Sequence, residues 1–227
     1  MSAVPAPWAI EHHRGSAAEL HAREAPEPFG RVAWWLDVDR PALVLGSTQP
    51  PDVVDGEIAA AARIDVTRRR TGGGAVFVAP GDVTWVDVFV PAGDPLWTDD
   101  VTRSFWWLGE VWAEALEALG TDRATVHRGP AIRDGWSELL CFAGVGSGEV
   151  LLGGRKVVGL AQRRTRAGSR IQCAVLHRWA PQETLALLRL GPDDRAAGAR
   201  ALADRSTAVT VDRGRLEQAF VAALRLR

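Results

Sequence analysis

The chain contains one lysine, Lys156, among its 27 lysine and arginine residues. Because the composition favours arginine so strongly, a lysine that remains is expected to fill a role that a guanidinium cannot. The ammonium is a compact point charge on a flexible stem, whereas arginine carries a rigid planar fork. Glycines flank Lys156 on both sides, and the pattern around it predicts a strand. Its ammonium could there bind a carboxylate, a phosphate or the oxygen of an activated acyl group. The alternative is a surface lysine that survived by chance.

A second segment, Arg68-Arg69-Arg70-Thr71-Gly72-Gly73-Gly74-Ala75-Val76-Phe77, joins three arginines to three glycines between two predicted strands. Consecutive glycines let the backbone pass close to a ligand, and their N–H groups can converge on anionic oxygens. The arginines could add charge-assisted contacts to phosphate. The segment is neither a P-loop nor a dinucleotide fingerprint, because no Gly-Lys-Ser/Thr follows and no helix opens there. A flexible turn with a solvated basic edge is the alternative.

Length and composition restrict the classes of protein to which the chain can belong. With 227 residues and 24.5 kDa it can bury one sizeable core. A net charge of −1 gives no electrostatic case for nucleic acid. No apolar run has the length of a signal peptide or a membrane helix, and two cysteines are too few for a disulfide framework. The histidines show no metal-ligand spacing. We therefore predict a soluble cytoplasmic protein with no metal ligands, no membrane contact and no nucleic-acid partner.

The hydrophobic pattern predicts strands in the middle of the chain and helices around them. We expect residues 1–30 to form an irregular arm and 31–227 to form a single domain. Strands are predicted at 32–38, 42–46, 65–70, 75–78, 83–90, 124–128, 139–142, 149–152, 156–163 and 170–176. The strands at 75–78 and 83–90 are expected to form a hairpin. Helices are predicted at 52–63, 99–119, 181–190 and 213–226. This succession favours an α/β or α+β fold around one mixed sheet.

The arginine–glycine segment and the lysine segment together resemble the lipoate–protein ligase family, within the larger group of biotin and lipoate attachment enzymes. The first is similar to the family pattern Arg-Arg-x-Ser/Thr-Gly-Gly-Gly-Ala-Val-Phe. The second, Gly154-Arg155-Lys156-Val157-Val158-Gly159-Leu160-Ala161-Gln162, is similar to the pattern Gly-Arg-Lys-x-x-Gly-x-Ala-Gln. Their order and separation also agree, as does Leu45-Gly46-Ser47-Thr48-Gln49 upstream. The resemblance covers residues 32–190.

The resemblance implies a mixed sheet flanked by helices, similar to the catalytic core of class II aminoacyl-tRNA synthetases and biotin ligases. It implies that lipoate and ATP form a lipoyl-adenylate, with Mg²⁺ screening the triphosphate, and that an acceptor-domain lysine then attacks it. The acceptor would be a 2-oxoacid dehydrogenase E2 or a glycine cleavage H protein. Lys156 would contact the acyl carboxylate and the α-phosphate. By position, the adenylate would be held by Arg69 and by the backbone of Gly72, Gly73, Gly74, Ala75, Val76 and Phe77.

The chain departs from the ligase pattern at four points. Val78-Ala79 replaces His-Asp, Asp82 replaces Asn, the His-Gly pair after the lysine strand is missing, and no C-terminal accessory domain is expected. Cys141 in Leu140-Cys141-Phe142 offers an alternative, because the segment is similar to a branch of octanoyltransferases. There a cysteine takes octanoyl from acyl carrier protein as a thioester, and a nearby Lys156 ammonium could lower the thiol pKa.

Two further interpretations of these residues stay open. Cys141 could be a small buried hydrophobic residue, as Cys173 is expected to be. The whole chain could be a non-catalytic lipoyl-binding or partner subunit. Against the transferase branch, the third glycine of the arginine–glycine segment, Gly74, favours a ligase.

Overall fold

Ten strands in two sheets make up the β-structure of residues 6–227, the part of the chain that the computed structural model describes. They are β1 (Ala9–Gly15), β2 (Val32–Val38), β3 (Ala42–Leu45), β4 (Asp65–Arg68), β5 (Val76–Val78), β6 (Val83–Pro91), β7 (Ala124–Val126), β8 (Val150–Leu152), β9 (Arg155–Arg164) and β10 (Gly168–Leu176). The larger sheet has the order β1-β2-β6-β10-β9-β8-β7, and only its β1–β2 pair is parallel. The smaller sheet has the order β4-β3-β5, with β3 and β4 parallel.

Seven α-helices surround the sheets within the same residues. They are α1 (Ala17–Ala22), α2 (Gly56–Ala61), α3 (Trp106–Ala118), α4 (Gly135–Leu139), α5 (Pro181–Ala186), α6 (Pro192–Leu202) and α7 (Arg213–Leu224). Helices α3 and α7 pack together on one face of the larger sheet. Leu108, Trp112 and Leu116, which recur at four-residue steps along α3, are fully buried there, while Phe105 and Leu119 at its two ends are partly buried. The predicted fold, a mixed sheet flanked by helices, is confirmed. None of the helices described in residues 6–227 has both the length and the apolar composition that crossing a bilayer requires.

Part of the opposite face of the larger sheet, on β9 and β10, carries small side chains. Gly159 of β9 lies opposite Ala174 of β10, which lies opposite Trp85 of β6, and Ala161 lies opposite Gln172. Because alternate residues of a strand share a face, Gly159, Ala161 and Ala174 all point toward the smaller sheet. Protein interiors are otherwise close-packed, so these small residues leave a cavity between the two sheets.

The N-terminal segment is more regular than the irregular arm expected for residues 1–30. Ala9–Gly15 pairs in parallel with Val32–Val38, and Ser16 caps α1 through a reciprocal pair of hydrogen bonds with Glu19. An alternating apolar pattern is the usual sign of a strand, and β1 lacks it because its centre reads Glu-His-His-Arg. The part of the arm before residue 6 lies outside the described residues.

Two other expectations were wrong, and both concern the neighbourhood of the site. Strands β5 and β6 do not form a hairpin, because β5 pairs with β3 in the smaller sheet while β6 pairs with β2 and β10 in the larger one. The predicted strand at 139–142 is the end of α4 followed by a 3-10 turn, Cys141–Ala143. A short apolar run is compatible with a strand or with a helical turn. When every residue in the run is apolar, the sequence shows neither the two-residue period of a strand nor the 3.6-residue period of a helix. Helix α6 was not predicted.

Candidate active site

The glycine-rich loop between β4 and β5 is packed between two backbone segments. A side-chain carbon at Gly46 would lie 1.8 Å from the carbonyl oxygen of Gly73, and one at Gly74 would lie 2.7 Å from the backbone of Leu140. Gly73 also has a φ of +95°, which favours glycine. The glycines therefore allow the loop to approach both the end of β3 and the segment that carries Cys141.

The arginines of this loop are engaged mainly by the protein itself. Arg69 is buried and donates to three carbonyl oxygens of the loop and of β3, at 2.7 to 3.3 Å. Arg68 donates to carbonyl oxygens in the segment 46–49, and the exposed Arg70 pairs with Glu24 at 3.2 Å. Two of the three guanidinium groups thus hold the loop in place. A triphosphate does not fit these side chains as they are arranged. Across residues 6–227, no cluster of three His, Cys, Asp or Glu side chains is placed to hold a metal ion.

Lys156 lies in β9, as predicted, and its side chain is enclosed, with the residue only 1% exposed. Its Nζ donates to the carbonyl oxygens of Cys141 at 3.0 Å and Gly144 at 3.1 Å, and it lies 2.8 Å from Oε2 of Glu149. An ammonium has three N–H donors, so these three acceptors satisfy it completely. The Nζ also lies 4.7 Å from the ring centre of Phe142.

Glu149 is a member of the site that the sequence reasoning did not assign a role. It is buried, and Oε2 accepts from the Gly146 N–H at 2.6 Å while Oε1 accepts from the Leu160 N–H at 3.0 Å. The carboxylate therefore joins β9 to the loop before β8. An acidic residue directly before an apolar strand, a few positions from the sole lysine, is the signal that could have identified it.

Cys141 begins the 3-10 turn after α4 and is half-buried, with a free thiol. Its N–H donates to the Ala75 carbonyl at 2.9 Å, while its carbonyl accepts from Lys156. Its Sγ faces the glycine-rich loop, since a side-chain carbon at Gly73 would lie 3.8 Å from it. The backbone of Cys141 is thus held from two sides. Cys173 differs, because it is buried in the core beneath α3 and burial raises the pKa of its thiol.

Cys141 lines a cavity between the two sheets, which we call the apolar cavity. It encloses about 510 Å³ including its mouth. Its floor is the row of small residues on β9 and β10, and its walls are the side chains of Val44, Val76, Val78, Val83, Trp85 and Phe142. Lys156 does not line it. Both cysteines, Cys141 and Cys173, are among the residues that line the cavity, and the sole lysine is not.

Two hydrogen-bonded polar side chains, His21 and Gln172, line part of the apolar cavity. His21 of α1 accepts from the Gln172 amide at 3.3 Å, and the hydroxyl of Thr71 donates to the same Gln172 side chain at 3.0 Å. Burial, together with the charges of Arg170 and Arg69, lowers the pKa of His21 to about 3. The imidazole is therefore neutral at physiological pH. Arg170 also holds α1 in place by donating to the carbonyls at its end, at 2.8 and 3.2 Å.

A second cavity of about 450 Å³, which we call the edge cavity, lies behind the first. Val76, Val83 and Phe142 line both cavities, which are therefore adjacent. Its other lining groups include Trp179 and the polar side chains Asp82, Arg178, Glu183 and Thr184.

The family model described as the lipoyl protein ligase A/B catalytic domain matches residues 18–213. Octanoyltransferase LipM of Clostridioides difficile (strain 630) is 29% identical over 113 residues, which are 50% of this chain and 41% of that protein. The chain thus matches less than half the length of this relative. The bi-partite lipoate protein ligase of Thermoplasma acidophilum superposes with a TM-score of 0.72 at 17% identity, over 96% of this chain and 82% of that one. Lipoate-protein ligase A bound with ATP superposes with a TM-score of 0.66 at 18% identity, over 97% and 84%. These structural matches confirm the predicted fold.

Proposed function

Since the chain belongs to the lipoyl protein ligase A/B catalytic domain family, we propose that it transfers an octanoyl or lipoyl group to a lysine of an acceptor lipoyl domain. The single observation that carries this proposal is the position of Cys141 in the lining of the apolar cavity, with its Sγ facing the glycine-rich loop. The acyl chain would lie in the cavity with its carbonyl carbon at Cys141. The acceptor would be an E2 or H protein, and the donor a thioester of an acyl carrier protein.

The transfer takes place in two steps that balance without a further reactant. In the first, Sγ of Cys141 attacks the carbonyl carbon of the donor thioester, a new carbon–sulfur bond forms, and the donor leaves as a thiol that carries the Cys141 proton. In the second, the lysine amine of the acceptor attacks the same carbon. An amide forms, the bond to Cys141 breaks, and the cysteine regains a proton.

The apolar cavity supplies the binding energy for the acyl chain. Burying one methylene group contributes about 0.8 kcal/mol, so a medium-length chain gains several kilocalories per mole from this cavity alone. Gly159, Ala161 and Ala174 make room for it, and Trp85 and Phe142 pack on its sides. His21 adds a neutral polar group to the wall and no charge that would oppose an apolar chain.

Lys156 and Glu149 act as positioning residues in this proposal. Lys156 binds the carbonyl of the nucleophilic cysteine itself, and Glu149 fixes the ammonium by accepting from it and from two backbone N–H groups. The pair thereby sets the conformation of the turn that presents Sγ to the cavity. A direct contact of Lys156 with the acyl group, which the family resemblance implies, would require its side chain to leave this pair.

ATP-dependent activation of lipoate is the second candidate. It is favoured by the edge cavity, because the backbone of Ala75, Val76 and Phe77, to which the resemblance assigns the adenylate, lines that cavity. Arg69, the other residue assigned to it, donates to backbone carbonyls. We therefore rank a thioester donor first.

The experiment that tests the proposal supplies octanoyl-carrier protein without ATP and follows the chain by intact mass. We expect one octanoyl group on the chain, released by hydroxylamine as a thioester is, and passed to an added lipoyl domain as a hydroxylamine-stable amide. Cys141→Ser should lose both products, while Cys173→Ala, at the other cysteine, should keep them. Modification of the acceptor only when lipoate and Mg-ATP are supplied would establish the ligase instead.

A further inference from the structure

We propose that the edge cavity binds the pantetheine arm of the acyl donor, with the amide groups of the arm paired to the free side of β5. This proposal rests on the proposed thioester transfer and assigns the second cavity to the same reaction. Pantetheine occurs both on acyl carrier proteins and on coenzyme A, and the shared chemistry is an extended chain with two amides that ends in the thioester sulfur.

Strand β5 is an edge strand whose outer side is only partly covered. Its inner side pairs with β3, where Val76 lies opposite Val44. Ala75 points its N–H and C=O the other way, toward Leu139 at 2.7 Å and Cys141 at 2.9 Å. Because these directions alternate along a strand, the N–H and C=O of Phe77 also point outward, beyond the stretch that the cysteine segment covers.

The outward side of β5 is also the side of the edge cavity. The Ala75, Val76 and Phe77 segment lines this cavity, and Leu140 lines it beside them. An extended chain with amide groups binds such an edge by adding hydrogen bonds as a further strand would. Phe77 therefore offers one donor and one acceptor to the arm.

The segment that carries the nucleophile borders both cavities. Leu140 lines the edge cavity, Cys141 lines the apolar cavity, and Phe142 lines both. The segment that carries the thiol therefore runs between them. A thioester with its acyl chain in the apolar cavity and its arm in the edge cavity would pass from one to the other along this segment, with its carbonyl carbon beside Cys141.

The charge of the edge cavity favours a neutral arm over a nucleotide. Its charged lining groups are the guanidinium of Arg178 and the carboxylates of Asp82 and Glu183, at 3.5 and 2.7 Å from it. One positive group against two negative ones leaves no unpaired cation for a phosphate. Amides, a hydroxyl and methyl groups carry no charge, and the half-buried ring of Trp179 provides an apolar surface for the methyl groups.

The test compares donors that differ only in the arm. The rate of Cys141 acylation is measured with octanoyl-pantetheine and with the octanoyl thioester of mercaptoethanol, which lacks both amides. We expect kcat/KM to be about tenfold or more higher for octanoyl-pantetheine, since it adds two amide groups that can bind the edge. Equal values would overturn the proposal. Octanoyl-coenzyme A and octanoyl-carrier protein then distinguish the two natural sources of the arm.

A variant tests whether the edge cavity causes this preference. Ala180 lines the cavity and is half-buried, so Ala180→Trp should fill it and reduce the ratio of the two kcat/KM values to about one. The same substitution at the exposed Ala196 of α6 is the matched control and should keep the ratio. An unchanged ratio in a folded Ala180→Trp variant would overturn the proposal. It would also be overturned if the unmodified chain formed an acyl-adenylate from ATP and Ala180→Trp blocked that reaction. Failure of the proposed function itself appears differently, as no acylation of Cys141 by any donor.

Discussion

Replacing Lys156 with methionine tests whether the ammonium is committed to the buried pair. Methionine fills much the same volume but leaves the Glu149 carboxylate, 3% exposed, without its counter-ion. Removing one partner of a buried ion pair costs about 3–5 kcal/mol. For a domain of this size each kilocalorie lowers the melting temperature by about 2–4 °C, so we expect a decrease of about 6–20 °C.

Thermal and urea unfolding followed by circular dichroism measure this loss, and the neighbouring residue supplies the control. Arg155→Met removes a charge from the same strand, but its side chain is 48% exposed and lies 3.8 Å from Asp204. The control should therefore change the free energy of unfolding by less than about 0.5 kcal/mol. Combining Lys156→Met with Glu149→Gln should recover about 2 kcal/mol relative to the sum of the single effects, because the double variant leaves no unpaired charge.

The reasoning fails if Lys156→Met costs less than about 1 kcal/mol, or if the two single effects simply add. Either result would mean that the ammonium is not held by Glu149 in solution. The Lys156 ammonium would then be available to a ligand, as the family resemblance implies. In the structure it is instead enclosed and paired with Glu149.

Two further predictions concern the apolar cavity. Ala161→Phe should fill the floor of this cavity and lower the rate of octanoyl transfer by about tenfold or more, while a short butyryl donor is still accepted. The substitution should cost about 1–3 kcal/mol of stability. Equal losses of rate for both donors would contradict the assignment of the cavity to the acyl chain. His21, with a pKa of about 3, stays neutral in the folded protein below pH 6.5, whereas the unfolded chain takes up a proton. This group should therefore leave the free energy of unfolding unchanged above pH 6.5. At pH 5 it should lower that free energy by about 2 kcal/mol relative to a His21→Gln variant, as measured by urea unfolding. Parallel pH profiles of the two proteins would refute the buried, neutral imidazole.

Much of the architecture could be predicted because it depends on local patterns. The strands around Lys156, the glycine-rich loop and the apolar face of α3 all follow from the spacing of residues within short windows. The glycine-rich loop is predicted to approach a ligand, and in the structure its glycines approach other backbone segments. Gly74 meets the backbone of Leu140 there, at a distance that no side chain could share.

The remainder depends on contacts between segments that are distant in sequence. The pairing of β5 with β3 instead of β6 is decided by the packing of two sheets, and the turn at Ala79-Pro80-Gly81-Asp82 is compatible with both arrangements. The partners of Arg69 are backbone carbonyls, which no residue type reveals. The same holds for the carbonyls of Cys141 and Gly144 that bind Lys156.

The enclosure of the sole lysine has a practical consequence for amine chemistry. With Lys156 only 1% exposed, these 227 residues offer acylating reagents no accessible side-chain amine. Any lysine amide that appears in a reaction mixture must therefore belong to the acceptor protein. Self-labelling of the chain can be separated from productive transfer without mapping a single peptide. Amine-directed cross-linkers should likewise leave the candidate active site unmodified.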